Sequence, residues 1–157
     1  MVPIIGEWDV KVVRADGSIE RKTLRNIVTA AGLNRIANRA VQASGTSPFF
    51  YLSIGSLTAV ASHSSINAGE MSRKTSTVTG ASAQSREWIF LNATWAGAAD
   101  SLSTKLIDQA MICDHPSSGS GIVGNVVNGV NVTLADSDFL NLTCRIRVGS
   151  HNQSHTT

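Results

Sequence analysis

The sequence predicts a mainly β protein, an antiparallel β-sandwich with one short amphipathic α-helix near residues 30-42. Three observations carry that prediction. In the stretch 140–148, apolar Leu140, Leu142, Cys144, Ile146 and Val148 alternate with polar Asn141, Thr143, Arg145 and Arg147, the period of a strand with one face in a core and the other in water. Such a strand suits an antiparallel sheet, whose second face tolerates solvent, better than a parallel sheet buried on both sides. Asp16-Gly17 and Asn128-Gly129 stand between alternating segments and signal hairpins. One stretch, from Asn26 onward, changes to a helical period.

The first strand spans residues 7–14, where Trp8, Val10 and Val12 alternate with Asp9, Lys11 and Val13. The Ala15-Asp16-Gly17-Ser18 turn returns the chain as a partner strand over residues 19–24, because Asp and Gly both tolerate positive φ. Leu33, Ile36, Ala37, Ala40 and Val41 then fall at i, i+3, i+4, i+7 and i+8, with Thr29 available as N-cap and Asn34, Arg35, Asn38 and Arg39 on the opposite face. The helix ends near Gly45, residues 44–48 form a loop, and 49–53 is a strand leading into Ile54-Gly55. Residues 56–68 are small, polar and aperiodic, which predicts a long surface loop. Strands resume over 72–79 and 86–95; Trp88, Ile89, Phe90 and Leu91 are apolar on both faces and suggest a central strand. Residues 106–113 fit either period, and their length favours a strand. Beyond a Pro/Ser/Gly loop at 115–124, Asn128-Gly129 separates strands over 122–127 and 130–134, and Asp136-Ser137-Asp138 turns into the closing strand. About eight regularly spaced strands around one helix point to a jelly-roll-like sandwich. Residues 1-150 read as a single domain and 151-157 as a polar tail that frays unless a neighbour holds it.

A chain of 157 residues can bury roughly two thirds of its unfolded surface without a metal or disulfide. Charged residues are 15% of the sequence and the formal net charge is +2, too weak a field for a phosphate backbone, so nucleic acid is excluded as principal partner. No run approaches the ~20 apolar residues of a membrane span. The opening Met1-Val2-Pro3-Ile4-Ile5-Gly6-Glu7 has neither the basic start nor the apolar length of a signal peptide, so synthesis in a reducing cytoplasm is expected. Cys113 and Cys144 sit at apolar strand positions, where a free thiol behaves as a small buried hydrophobe; a disulfide is possible if their strands are neighbours. The Asn-X-Ser/Thr sequons at Asn92, Asn131, Asn141 and Asn152 then read as products of composition.

No constellation for catalysis, cofactor binding or metal binding emerges. His63, His115, His151 and His155 follow no ligand spacing and read as solvated. Cys113, Asp114 and His115 superficially suggest a nucleophile and base, but adjacent strand residues point to opposite faces. Glu70 and Glu87 lie near Arg73 and Arg86, a pattern of salt bridges between neighbouring strands. Asp136 and Asp138 flank a turn, where Asp bonds its own backbone; a calcium loop would need further ligands. Gly119-Ser120-Gly121-Ile122-Val123-Gly124 has a dinucleotide-type glycine spacing but precedes a strand, so the helix N-terminus that would hold a phosphate is missing. Trp88 reads as core; Trp8 and Trp95, near strand ends, are the candidates for an exposed sugar platform.

Two stretches resemble a family. Asn26-Ile27-Val28-Thr29-Ala30-Ala31-Gly32-Leu33-Asn34-Arg35-Ile36-Ala37 followed by Tyr51-Leu52-Ser53-Ile54-Gly55 is similar to the opening of small tailed-bacteriophage virion proteins. Glu70 to Arg73 resembles their Glu-X-X-Arg strand entry, and residues 132–134 with 138–148 resemble their closing strand pair. Members are jelly-roll-like sandwiches that serve either as trimeric capsid decoration (cement) proteins or as attachment domains of tail and head fibres. The resemblance implies a non-enzymatic protein of the capsid surface, a homotrimer on the major capsid protein, with a fibre component that binds host receptors or glycans as the alternative. It carries no catalytic residues. The long stretch at 56–68 departs from the family pattern, and the lack of a fibre-like repeat after Val148 favours decoration. Under that implication Val2, Pro3, Ile4, Ile5 and Trp8 are the candidate partner contacts, an apolar arm able to add to a neighbouring sheet edge, or else an ordinary strand of its own domain.

Overall fold

The computed structural model describes residues 4–25, 27–28, 32, 51–56, 69–80, 88–117 and 123–148. Among them the strands are β1 (Ile4–Val13), β2 (Ile19–Arg25), β3 (Ile27–Val28), β4 (Tyr51–Gly55), β5 (Glu70–Thr75), β6 (Thr77–Gly80), β7 (Trp88–Ala96), β8 (Leu106–Cys113), β9 (Val123–Thr133) and β10 (Phe139–Val148). They build two antiparallel five-stranded sheets, a first of order β2-β1-β10-β7-β6 and a second of order β3-β9-β8-β4-β5. The mainly β, antiparallel expectation is met. Of residues 30–42 only Gly32 is described, helical and buried, so the expected helix lies outside the described residues, as do almost all of the 56–68 stretch and the 151–157 tail.

Alternation in the sequence becomes a shared core. Trp8, Val10, Val12, Leu91, Trp95, Leu140, Leu142 and Cys144 of the first sheet join Leu52, Ile54, Ile107, Ala110, Ile112, Val127, Val130 and Val132 of the second in one buried cluster. Each fully buried Leu, Ile or Val side chain contributes about 1.5–3 kcal/mol, so this cluster is the main favourable term of the fold. The faces turned to the cluster are called inner below. Polar bonds tie the sheets at their sides: Trp95 Nε1 donates to Ser72 Oγ at 3.1 Å, Lys74 Nζ to Thr94 O at 2.8 Å, and Lys22 Nζ to Gly129 O at 3.1 Å.

Two segments differ from the sequence expectation. Residues 72–79 are not one strand: Ser76, 8% exposed, stands alone between β5 in the second sheet and β6 in the first. A strand that bends at a sandwich corner can serve both sheets, and Ser-Arg-Lys-Thr-Ser-Thr-Val-Thr has no apolar rhythm to betray the change. Nor does Asn128-Gly129 make a hairpin; both residues lie inside β9, which runs continuously to Thr133. Ile107 pairs with Val132 and Gln109 with Asn128, so the intervening residues of β9 bulge opposite Asp108. Gly129 (φ 79°) and Asn131 (φ 44°) take left-handed conformations there while Asn128 does not, and a two-residue type I′ turn needs both central residues at positive φ. The Asp16-Gly17 turn behaves as expected: Gly17 has φ 83°, Gly17 N donates to Arg14 O at 3.0 Å, and Ser18 N donates to Asp16 Oδ1 at 2.8 Å.

Candidate functional site

The outer face of the first sheet is a patterned polar surface. Because Trp8, Val10 and Val12 point inward, Glu7, Asp9, Lys11 and Val13 of β1 point outward, and the register aligns them with Arg145, Thr143, Asn141 and Phe139 of β10. Cross-strand bonds hold these side chains in place. Thr94 Oγ1 donates to Asn141 Oδ1 at 2.6 Å, Thr143 Oγ1 to Asn92 Oδ1 at 2.7 Å, Thr23 Oγ1 to Asp9 Oδ1 at 2.9 Å, and Arg145 Nη2 to Asp9 Oδ1 at 2.8 Å. Arg145 also lies 3.4 Å from Glu7. At one end an apolar row crosses the same face: Ile19 is paired with Val13, Val13 with Phe139 and Phe139 with Ala96. Within it Ile19 is 51% and Phe139 46% exposed. The ladder of Asn92, Thr94, Asn141 and Thr143 between β7 and β10 is neutral and edged by an aromatic, suited to holding a partner by fit, while toward β2 the face turns cationic, with Lys11, Arg145, Arg21 and Arg25 against Glu7 and Asp9.

The second sheet carries a buried ion pair on its outer face. Residues three apart on a regular strand point to opposite sides, yet Glu70 and Arg73 meet in a two-bond fork, Nε to Oε1 at 2.7 Å and Nη2 to Oε2 at 3.0 Å. A register shift explains it: Ile54 pairs with Ser72 and Gly55 with Glu70, so Met71 is an extra residue and the phase of β5 flips. Ser53 Oγ donates to Glu70 Oε1, and Arg73 Nη1 donates to His115 O at 2.5 Å. The Glu70 and Arg73 side chains are only 3% and 1% exposed. Removing one member of such a pair costs about 3–5 kcal/mol through the uncompensated charge, whereas the intact pair adds little net stability. The pair pins β4, β5 and the segment after β8 together. Met111, Cys113 and Val126, with Tyr51 against them, form a second buried cluster on this outer side.

The remaining sequence candidates separate. Cys113 and Cys144 are free and buried in different clusters, one on the outer side of the second sheet and one in the shared core, so they do not pair. Burial pushes the Cys113 thiol up to about 12 and raises that of Cys144 as well, which keeps both thiols protonated and inert. His115 is exposed and its Nδ1 accepts from Ser117 N at 3.1 Å, a local turn contact. His63, His151 and His155 lie outside the described residues, as do Glu87, Arg86 and most of the 119–124 glycine stretch. Asp138 is bound by this chain's own groups: Arg14 Nη1 at 2.8 Å, Ala15 N at 3.0 Å and Ala135 N at 2.9 Å. Among the described residues no group of three or more His, Cys, Asp or Glu side chains converges as metal ligands would.

Among the proposed contact residues, Trp8 is the one whose side chain the structure describes. Trp8 is fully buried in the core, opposite Cys144 and Leu24, and Trp95 is fully buried too, so neither is an exposed platform. Both sit on the inner parity of their strands: β1 begins at Ile4, so Trp8 lies within the strand, whereas Trp95, one residue from the end of β7, is covered by the shared core. Ile4 and Ile5 belong to β1, their backbones paired with Val148 and Arg147 of β10, which is the use of an arm within its own sheet. Val2 and Pro3 lie outside the described residues. The Phe139 row escaped sequence reasoning because its members come from four strands, and only the register brings them together. No family model matches the chain, and neither a curated protein nor a solved structure matches it.

Proposed function

We propose that this chain is a non-enzymatic structural protein of a tailed-bacteriophage virion. In this reading it is made in the host cytoplasm and decorates the capsid surface as a homotrimer that binds the major capsid protein and cements the shell. The observation that carries the proposal is the β7–β10 part of the first sheet's outer face, a laterally bonded, neutral Thr/Asn ladder bordered by Val13, Phe139 and Ala96. A face of that kind costs little to desolvate, and a repetitive lattice supplies by avidity what a weakly charged surface lacks in single-site strength. The contact role moves accordingly from the N-terminal arm to this face.

The shared core and the side bonds between sheets support a β-sandwich. Sequence neighbours β1 and β2, β4 and β5, β6 and β7, and β8 and β9 are adjacent within a sheet. The jelly-roll likeness therefore rests on the two-sheet build and on the pairing of β1 with β10, the first and last strands, and not on strand order.

The test is to mix the purified protein with undecorated heads of a tailed bacteriophage. Saturable binding that raises the temperature of head rupture is expected, together with a trimer mass in solution. Phe139→Lys, an exposed change, should lower the affinity at least tenfold while leaving the fold intact. Absence of binding to heads overturns the assignment. A fibre component that grips host glycans is the second reading, favoured by the exposed Phe139 ring near the Thr94–Asn141 bond, an aromatic surface beside an amide. Adhesion to cells without binding to heads would select it.

A further inference from the structure

Where β2 leaves β9, the molecule has an open seam. β3 pairs with β9 through Ile27 with Val126 and Val28 with Asn125. Continued in that register, the ladder would set Lys22 opposite Asn131 and Arg21 opposite Val132. Instead β2 belongs to the first sheet and pairs with β1, so the two strands part. The gap is a cleft of about 100 Å³ with Val10, Val12 and Val132 among its lining and Glu20, Arg21, Lys22 and Asn131 around them. Lys22 Nζ reaches across to Gly129 O at 3.1 Å, and desolvation lowers the pKa of its ammonium, the mark of a charge held at a partly dry site.

Among the described residues no strand pairs with the edge of β2 beside the cleft. β2 is an edge strand of the first sheet, and Ile19, Glu20, Arg21, Thr23 and Arg25 are all exposed. Its register against β1 puts Arg21, Thr23 and Arg25 on the outer face, opposite Lys11, Asp9 and Glu7, and puts Lys22 and Leu24 on the inner side opposite Val10 and Trp8. Glu20 is engaged by Arg14 at 2.7 Å. Arg21 and Arg25 have no carboxylate within ion-pair distance among the described residues. The two cations are four residues apart on one face, about 13 Å along an extended strand. Two cations with no ion-pair partner among the described residues, beside an edge strand and a cleft floored by valines and rimmed by polar groups, ask for one kind of occupant.

We propose that the free edge of β2 takes up an extended peptide strand of a partner protein, one whose outward side chains include carboxylates four residues apart and whose inward side chains are apolar. Main-chain hydrogen bonds to β2 supply affinity, the carboxylates meet Arg21 and Arg25, and an apolar side chain between them covers the cleft. The same cations repel a second β2, which guards the edge against self-pairing and leaves it for an acidic strand. This inference stands whether or not the chain belongs to a virion.

Fluorescence anisotropy with labelled acetyl-Val-Glu-Val-Thr-Val-Glu-Val-amide tests it, with the peptide carrying Lys in place of both Glu as control. The acidic peptide should bind the full chain at least tenfold tighter than the control, and its affinity should fall as salt rises. The double variant R21E/R25E, exposed at both sites, should reverse that preference. Methylating alternate backbone amides of the peptide should abolish binding for one of the two alternate sets and spare the other, because a strand bonds an edge with every second residue. Equal binding of the two peptides, no binding of either, unchanged preference in the double variant, or equal effects of the two methylated sets overturns the proposal.

Discussion

Asp138 is 3% exposed yet ionised, because its two oxygens take amides from Ala15 and Ala135 and the guanidinium of Arg14. The Ala135 amide, then Arg14, then the Ala15 amide hold its carboxyl below the ordinary carboxylate range. A carboxyl whose pKa is lower folded than unfolded stabilises the fold above its unfolded value of ~4 and loses that contribution as pH falls through the folded value. Asp138→Asn should therefore cost about 2 kcal/mol at pH 7, in line with hydrogen bonds to a charged group. The urea midpoints of wild type and variant should converge as pH drops from 4 to 2; a gap independent of pH would refute the electrostatic account. In the sequence Asp138 read as a turn Asp bonding its own backbone, and the Ala135 contact is of that kind. Its bond to Arg14, 124 residues away, was not legible there, since nothing local records which loop faces which. Glu70 and Arg73 were legible as formers of salt bridges between neighbouring strands, not as partners within one strand or as buried, because their shared face depends on the extra residue Met71.

At the scale of elements, glycines mark where the chain bends, for two different physical reasons. Gly129 has φ 79° and open space around it, so Gly129→Ala should cost about 1 kcal/mol of backbone strain alone. Gly97 follows β7, where Gly97 N donates to Asp138 O at 2.9 Å and Gly97 O accepts from Leu102 N at 2.7 Å. A Cβ there would lie 1.9 Å from Ala135 O, a backbone atom that cannot swing away. Gly97→Ala should accordingly cost more than about 3 kcal/mol or abolish folding, and the two melting temperatures measured side by side check the contrast. The strands themselves were mostly legible from alternation, and the Asp16-Gly17 hairpin from its turn chemistry. Asn128-Gly129 misled because Asn-Gly serves a left-handed bulge as well as a turn, and the choice is made by the strand it faces. The passage from β5 to β6 was hidden because both sides of Ser76 are polar and β-prone.

Over the described residues, the two sheets share the larger apolar cluster and are tied by Lys22, Lys74 and Trp95, so neither can leave the other without exposing that cluster. Urea unfolding should then be a single transition, with tryptophan fluorescence, reporting on buried Trp8 and Trp95, coincident with far-ultraviolet circular dichroism. Two separated transitions would show that the sheets are independent units. By itself the sequence determined the class of the protein: period-two alternation demands sheets with one wet face. Tertiary structure alone decided which residues share a surface. The Phe139 row, the buried Glu70–Arg73 fork and the parted seam between β2 and β9 all arise from register and from bulges of one or a few residues. Because side chains alternate with a period of two, one added residue moves every later side chain of a strand to the other face, and no local pattern of amino acids fixes where that shift occurs.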